Sequence, residues 1–168
     1  MSTTAPAGSA TATYRHQAGM IRIVTAANLA GITHEESVTA PPCGNSANWV
    51  LGHLVCIYNK FLPLLGQQPV LEEERIARYD RGSAPVTPAE ARPLAELRAA
   101  WDEAAERVDA GLAALDPDAI DRPAPFSPSG NPNETIGSLI STVMFHQTYH
   151  AGQLGLLRRL AGKDGAIK

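Results

Sequence analysis

The sequence predicts an all-α fold, an antiparallel four-helix bundle, and three observations carry that prediction. Apolar residues recur at three- and four-residue steps in four long windows, the spacing of one buried helical face. Alanine, the strongest helix former, is abundant. No window of strand length both alternates cleanly and is rich in β-branched residues. Four amphipathic helices separated by Pro/Gly-rich segments bury their apolar faces most simply as a bundle around one core.

The first helix is expected from Thr13 to Ala30, with Met20, Ile23, Val24, Ala27 and Leu29 as its apolar stripe and Gly31 as its stop. Pro41 and Pro42 then break the chain. Asn45 or Ser46 caps a second helix running from Ala47 to about Leu65, and Pro63 should kink or end it near Leu62. Residues 66–88 are mixed, with a helical turn or two in "VLEEERIARYD". Thr87 as cap and Pro88 at the first helical position open a third helix, Ala89 to Leu115. Its inner face is Leu94, Leu97, Trp101, Ala104, Ala105, Val108, Leu112 and Leu115. A long Pro-rich connection follows, and long loops in compact domains are often functional. Asn133 caps the fourth helix, which runs to about Leu160 and stops at Gly162.

The domain reading is a disordered tail over 1–12, one domain over 13–162 and a short tail over 163–168. The chain's 168 residues suffice for one domain with a sizeable core. With 14 Lys+Arg against 17 Asp+Glu, no strongly basic face is expected, and nucleic acid is a poor partner. No stretch approaches the ~20 apolar residues of a membrane span. The start of the chain lacks the basic-then-apolar pattern of a secretion signal. Cys43 and Cys56 form no CxxC motif and suggest two free thiols. A soluble cytoplasmic protein is the expectation.

The fourth helix holds an anomaly. Its stripe reads Leu139, Val143, His146, His150, Leu154 and Leu157, so two imidazoles sit where the core should be apolar. Residues i and i+4 stack on one face, ~6 Å apart along the axis, and two such rings can converge on one ion. The second helix repeats the pattern: His53 lies in the stripe of Trp49, Ile57 and Phe61. Three core histidines, each satisfied by a hydrogen bond, are the structural alternative. Yet neighbouring buried imidazoles must all find partners, and neutral imidazole is a common metal ligand. Three nitrogens leave a position open for water or substrate, the arrangement of a catalytic site. The metalloprotease pattern H-E-x-x-H is not met, because Gln147 follows His146. His16 and His34 read as surface residues.

"NSANWVLGHL" and "FHQTYHAGQL", in that order and on the second and last helices, closely resemble the DinB/YfiT-like superfamily, and the similarity spans nearly the whole chain. The resemblance implies a bundle with a divalent metal, zinc, nickel or iron, and carries the ligand role onto His53, His146 and His150. It implies a homodimer and a small-molecule substrate. It also implies a metal-dependent enzyme that activates a low-molecular-weight thiol, or water, for attack on a small electrophile, as in the bacillithiol- or mycothiol-dependent transferases. The alternative is a non-catalytic metal- or ligand-binding stress-response dimer. Around the site, Trp49 is either core or pocket wall. Gly152 and Gly155 should permit close helix packing, and Gln153 either orients a ligand or caps a loop. Tyr149 points elsewhere, towards a subunit interface. Cys56 is either inert packing or a neighbour of the site. Asn45–Asn48 and the loop 123–132 are expected to roof an opening between helix ends.

Overall fold

The computed structural model describes residues 7–167. Among them there is no strand, and four long helices enclose one core: α1 (Ala7–Leu29), α3 (Ala47–Phe61), α5 (Leu94–Ala114) and α6 (Ile136–Leu160). Two short helices, α2 (His34–Val38) and α4 (Glu73–Ile76), lie in the connections.

Cross-helix contacts fix the directions. Tyr14 donates to the Gly137 carbonyl and Asn28 to the Ala151 carbonyl, so α1 and α6 run parallel. Asn48 donates to the Arg92 carbonyl and Gly111 packs on Leu65, so α3 and α5 also run parallel. Arg15 pairs with Asp109 and Arg22 with Glu106 across antiparallel α1 and α5. The antiparallel expectation therefore holds for α1/α5 and for α3/α6, and not for the other two neighbouring pairs. The long connection 62–93 makes the parallel step from α3 to α5 possible, because a parallel consecutive neighbour requires a return path, whereas α1 and α6 are not consecutive and 115–135 joins antiparallel α5 and α6.

Several boundaries moved. Helix α1 begins at Ala7, so residues 7–12, expected as tail, are helical; residues 1–6 of that tail lie outside the described residues. Its buried face is Ala18, Ile21, Thr25, Asn28 and Leu29, whereas Met20 and Ile23 are exposed. Ser46 caps α3, its side chain accepting from the Trp49 amide, and α3 gives way at Leu62–Leu65 to a 3₁₀ turn containing Pro63. Helix α5 begins at Leu94 rather than Ala89. Thr87 and Glu90 form a single capped turn, and Pro93, which has no amide hydrogen and disfavours helix in the residue before it, separates that turn from α5. Helix α6 is capped by Thr135 in a reciprocal capping box with Ser138, not by Asn133, whose amide instead donates to Asn131. Gly162 ends it in the left-handed conformation (φ 75°).

The core centres on α3, almost all of which is buried, with Tyr58 stacked on Trp101 of α5 at 5.0 Å between ring centroids. Among the described residues, no helix is long and apolar enough to cross a membrane.

Candidate metal centre

The site lies midway along the α3/α6 contact. Gln147 donates to the Leu54 carbonyl at 3.0 Å and aligns the two helices, so that His53 meets the consecutive turns that carry His146 and His150. The three rings pack against one another with centroids 4.5–5.0 Å apart. One ligand nitrogen from each lies within 4.8 Å of the other two. His53 is 3% exposed; His146 and His150 are half-buried and face the way out.

Two of the three rings have their tautomers set. His53 Nδ1 lies 2.7 Å from the carbonyl of Tyr79, which can only accept, so Nδ1 carries the proton and Nε2 keeps its lone pair. His150 Nδ1 lies 2.7 Å from Gln153 Oε1, with the same result. Such acceptors behind the rings are the usual outer partners of metal-binding histidines. His146 differs: its Nε2 faces His53 Nε2 at 3.2 Å, and its Nδ1 is buried without a partner. All three rings are held neutral. Burial lowers the His53 and His150 pKa values, and burial with the neighbouring His150 and His53 lowers that of His146 to about 4.

This donor set fits a divalent ion. Nitrogens bound tetrahedrally at ~2.1 Å sit ~3.4 Å apart, close to the His53–His146 separation, and the whole cluster needs to contract by only ~1 Å. An ion would also give both facing Nε2 lone pairs a partner, where without one the two atoms must share a proton. The ligands are neutral imidazoles, which suit zinc, nickel, iron or copper better than calcium or magnesium.

Trp49 is both core and wall: it is 7% exposed and stacks on His53 at 4.8 Å, with Nε1 donating to Ser83. Gln153 orients His150, and Tyr149 meets that ring edge-on while remaining 58% exposed. Cys56 stays apart from the three rings, fully buried against Asp80, with its thiol pushed up to about 11 by burial; it is packing. His16 is exposed, and His34 is half-buried at the start of α2, where its Nδ1 accepts from the Leu94 amide. A Cβ at Gly155 would lie 3.3 Å from the Asn28 side chain of α1, a tight approach that the glycine relieves, but Gly152 faces open space.

The expected roof is not there. Ala47, within the segment Asn45–Asn48, lines one cavity with Leu157 and Leu160 at the end of α6, whereas the loop 123–132 is tied to its start through Ala124 and Glu134. The two segments are separated by about twenty residues of helix, ~30 Å. The open side of the site is instead the one on which His146 and His150 are partly exposed.

Two residues of the site carried no chemical signal of their own. Tyr79 contributes its carbonyl, and its hydroxyl bridges Asn48 and the Arg92 amide. Gly52 makes room for it: a Cβ there would lie 2.1 Å from the Tyr79 ring. A glycine inside a buried helix, one residue before a histidine, was the available clue.

A helical protein with a candidate three-histidine metal centre is the class this geometry defines. A family model, the DinB superfamily, matches residues 12–154, and the chain belongs to that superfamily. The crystal structure of the conserved protein of locus from Enterococcus faecalis superposes with a TM-score of 0.72, covering 91% of this chain and 98% of that one at 17% identity. At that identity the likeness is one of fold. No curated protein matches the chain.

Proposed function

We propose that His53, His146 and His150 hold a divalent metal ion and that the protein is a metal-dependent enzyme of the thiol S-transferase type. One observation carries the reading: three imidazole nitrogens converge, and two of them have their lone pairs aimed inward by dedicated acceptors. When bound, the ion supplies Lewis acidity, which lowers the pKa of a thiol or water towards neutrality. The chain does the rest. Tyr79 and Gln153 hold two rings in place, Trp49 shields the inner side from water, and half-buried His146 and His150 leave the outer side open to a small substrate. A sulfur presented there bonds to an electrophilic carbon, its proton passes to solvent, and the leaving group departs.

The test is consumption of an aryl halide by the protein with a low-molecular-weight thiol. Turnover that requires both metal and thiol, and that disappears in His146→Ala, supports the reading; no turnover above a metal-stripped control contradicts it.

A non-catalytic binding module is the second reading. It draws on the absence of acid or base character in Gln153, the side chain that orients His150, and on the inertness of Cys56. A metal or small ligand that raises the melting temperature and is recovered unchanged supports it.

We also assign the exposed α1/α6 face to a second copy of the chain. Met20, Ile23, Phe145, Tyr149 and Leu156 are 46–73% exposed, and Gly152, with nothing near its Cβ position, leaves room among them for a partner helix. The dimer would cover Tyr149 beside His150.

A further inference from the structure

The segment that holds His53 also carries an uncompensated cation beside the site. Residues 79–83 are pinned at both ends: the Tyr79 carbonyl lies on His53, and Ser83 Oγ accepts from Trp49 at 3.3 Å while donating to the Arg78 carbonyl at 2.8 Å. Trp49 in turn stacks on His53, so both pins act on the metal centre. Arg81 stands between them, exposed.

Its charge is not matched. Arg15, Arg22, Arg75, Arg78, Arg92, Arg107 and Arg122 each meet a carboxylate, and Arg98 and Arg158 reach backbone carbonyls. Among the described residues, the side chains of Arg81 and Arg159 have neither kind of partner, and Arg159 lies in the last turn of α6 beside Gly165, away from the triad. The adjacent carboxylate, Asp80, is committed elsewhere: Oδ2 lies 2.5 Å from Lys60 Nζ, and Oδ1 accepts from the Arg81 backbone amide at 2.8 Å. Arg81 is two residues from the carbonyl that meets His53 and two residues from the hydroxyl that meets Trp49.

The three protein ligands bring no negative charge. A divalent ion there, with Arg81 beside it, leaves a positive surplus that only an incoming ligand can offset. Guanidinium is a planar fork suited to a two-oxygen anion. Resting on the metal reading above, we propose that Arg81 is a specificity-determining residue that selects ligands carrying a carboxylate in addition to the atom that binds the metal.

The test uses the full chain loaded with cobalt(II), whose absorption bands report ligand binding without turnover. Two matched pairs serve as probes: 3-mercaptopropionate with 2-mercaptoethanol, and imidazole-4-acetate with 4-methylimidazole. Members of each pair share a metal-binding atom and differ in the carboxylate. In Arg81→Gln, the carboxylate preference should fall by about five- to tenfold relative to wild type, the scale of an exposed charge-assisted pair. Affinity for the uncharged member and cobalt content should stay unchanged. Arg81→Lys should retain part of the preference, and added salt should erode it. The same preference in Arg81→Gln as in wild type, for both pairs, overturns the proposal. Arg81-dependent preference in the imidazole pair, with no response to either thiol, supports the anion site while contradicting the thiol chemistry.

Discussion

The Tyr79 carbonyl lies 2.7 Å from His53 Nδ1, and the Tyr79 ring occupies the space beside Gly52, the residue before that histidine. A glycine with no side chain thus fixes the orientation of a candidate metal ligand through a tyrosine twenty-seven residues further on. Gly52→Ala tests this link. Alanine favours helix over glycine by up to ~1 kcal/mol. A Cβ at 2.1 Å from an aromatic ring is far inside contact distance, and overpacking typically costs about 1–3 kcal/mol. The clash should win. Urea unfolding should show a lower midpoint, and metal affinity should fall ten- to a hundredfold, the usual effect of losing an outer partner. Wild-type metal affinity in this variant would mean that Tyr79 does not set the ring.

Gln153 offers the same test on the other side of the candidate metal centre. It accepts from His150 Nδ1 at 2.7 Å and is itself half-buried. Gln153→Leu should weaken metal binding by about ten- to a hundredfold. Stability without metal should change by less than ~1 kcal/mol, as for a single partly exposed hydrogen bond. Isothermal titration and urea unfolding separate the two effects.

Acid should destabilise the metal-free fold through the triad. The His146 pKa is lowered from 6.5 to about 4, and those of His53 and His150 are lowered as well. The unfolded chain therefore binds these protons first. The stability contributed by keeping the rings neutral is complete above pH ~6.5 and is lost as pH falls towards 4. Unfolding free energy should slope downward across that window, and His146→Gln should flatten the slope. Metal should dissociate over the same range, because protons compete for the same lone pairs.

Much of this was legible in the sequence, and for a physical reason. Histidines at a four-residue step inside an apolar stripe break a strong periodic pattern, so His53, His146 and His150 stood out against Leu139, Val143 and Leu154. The inner face of α5 was equally plain, since Leu97, Trp101, Val108 and Leu112 all proved buried. The buried face of α1 was not. Met20 and Ile23 are apolar but exposed, while Thr25 and Asn28 are polar but buried, and the hydropathy of a helix with two competing faces does not say which one meets the core. Contacts made by backbone were invisible too: any residue at 79 offers a carbonyl.

The exposed apolar face of α1 and α6 should mediate self-association. Phe145 is 73% exposed and is not a member of the core. Phe145→Glu should leave the urea midpoint within about 0.5 kcal/mol of wild type. It should shift the mass in solution from dimer to monomer by light scattering. A monomeric wild type would contradict the assignment.

The most direct measurement is metal content per chain by elemental analysis, on untagged protein purified without added metal or chelator. Wild type should carry near-stoichiometric divalent metal, and His53→Ala and His146→Ala, folded by circular dichroism, should carry almost none. A wild-type protein that stays metal-free even after reconstitution would contradict the metal centre and leave the three histidines as polar members of the core.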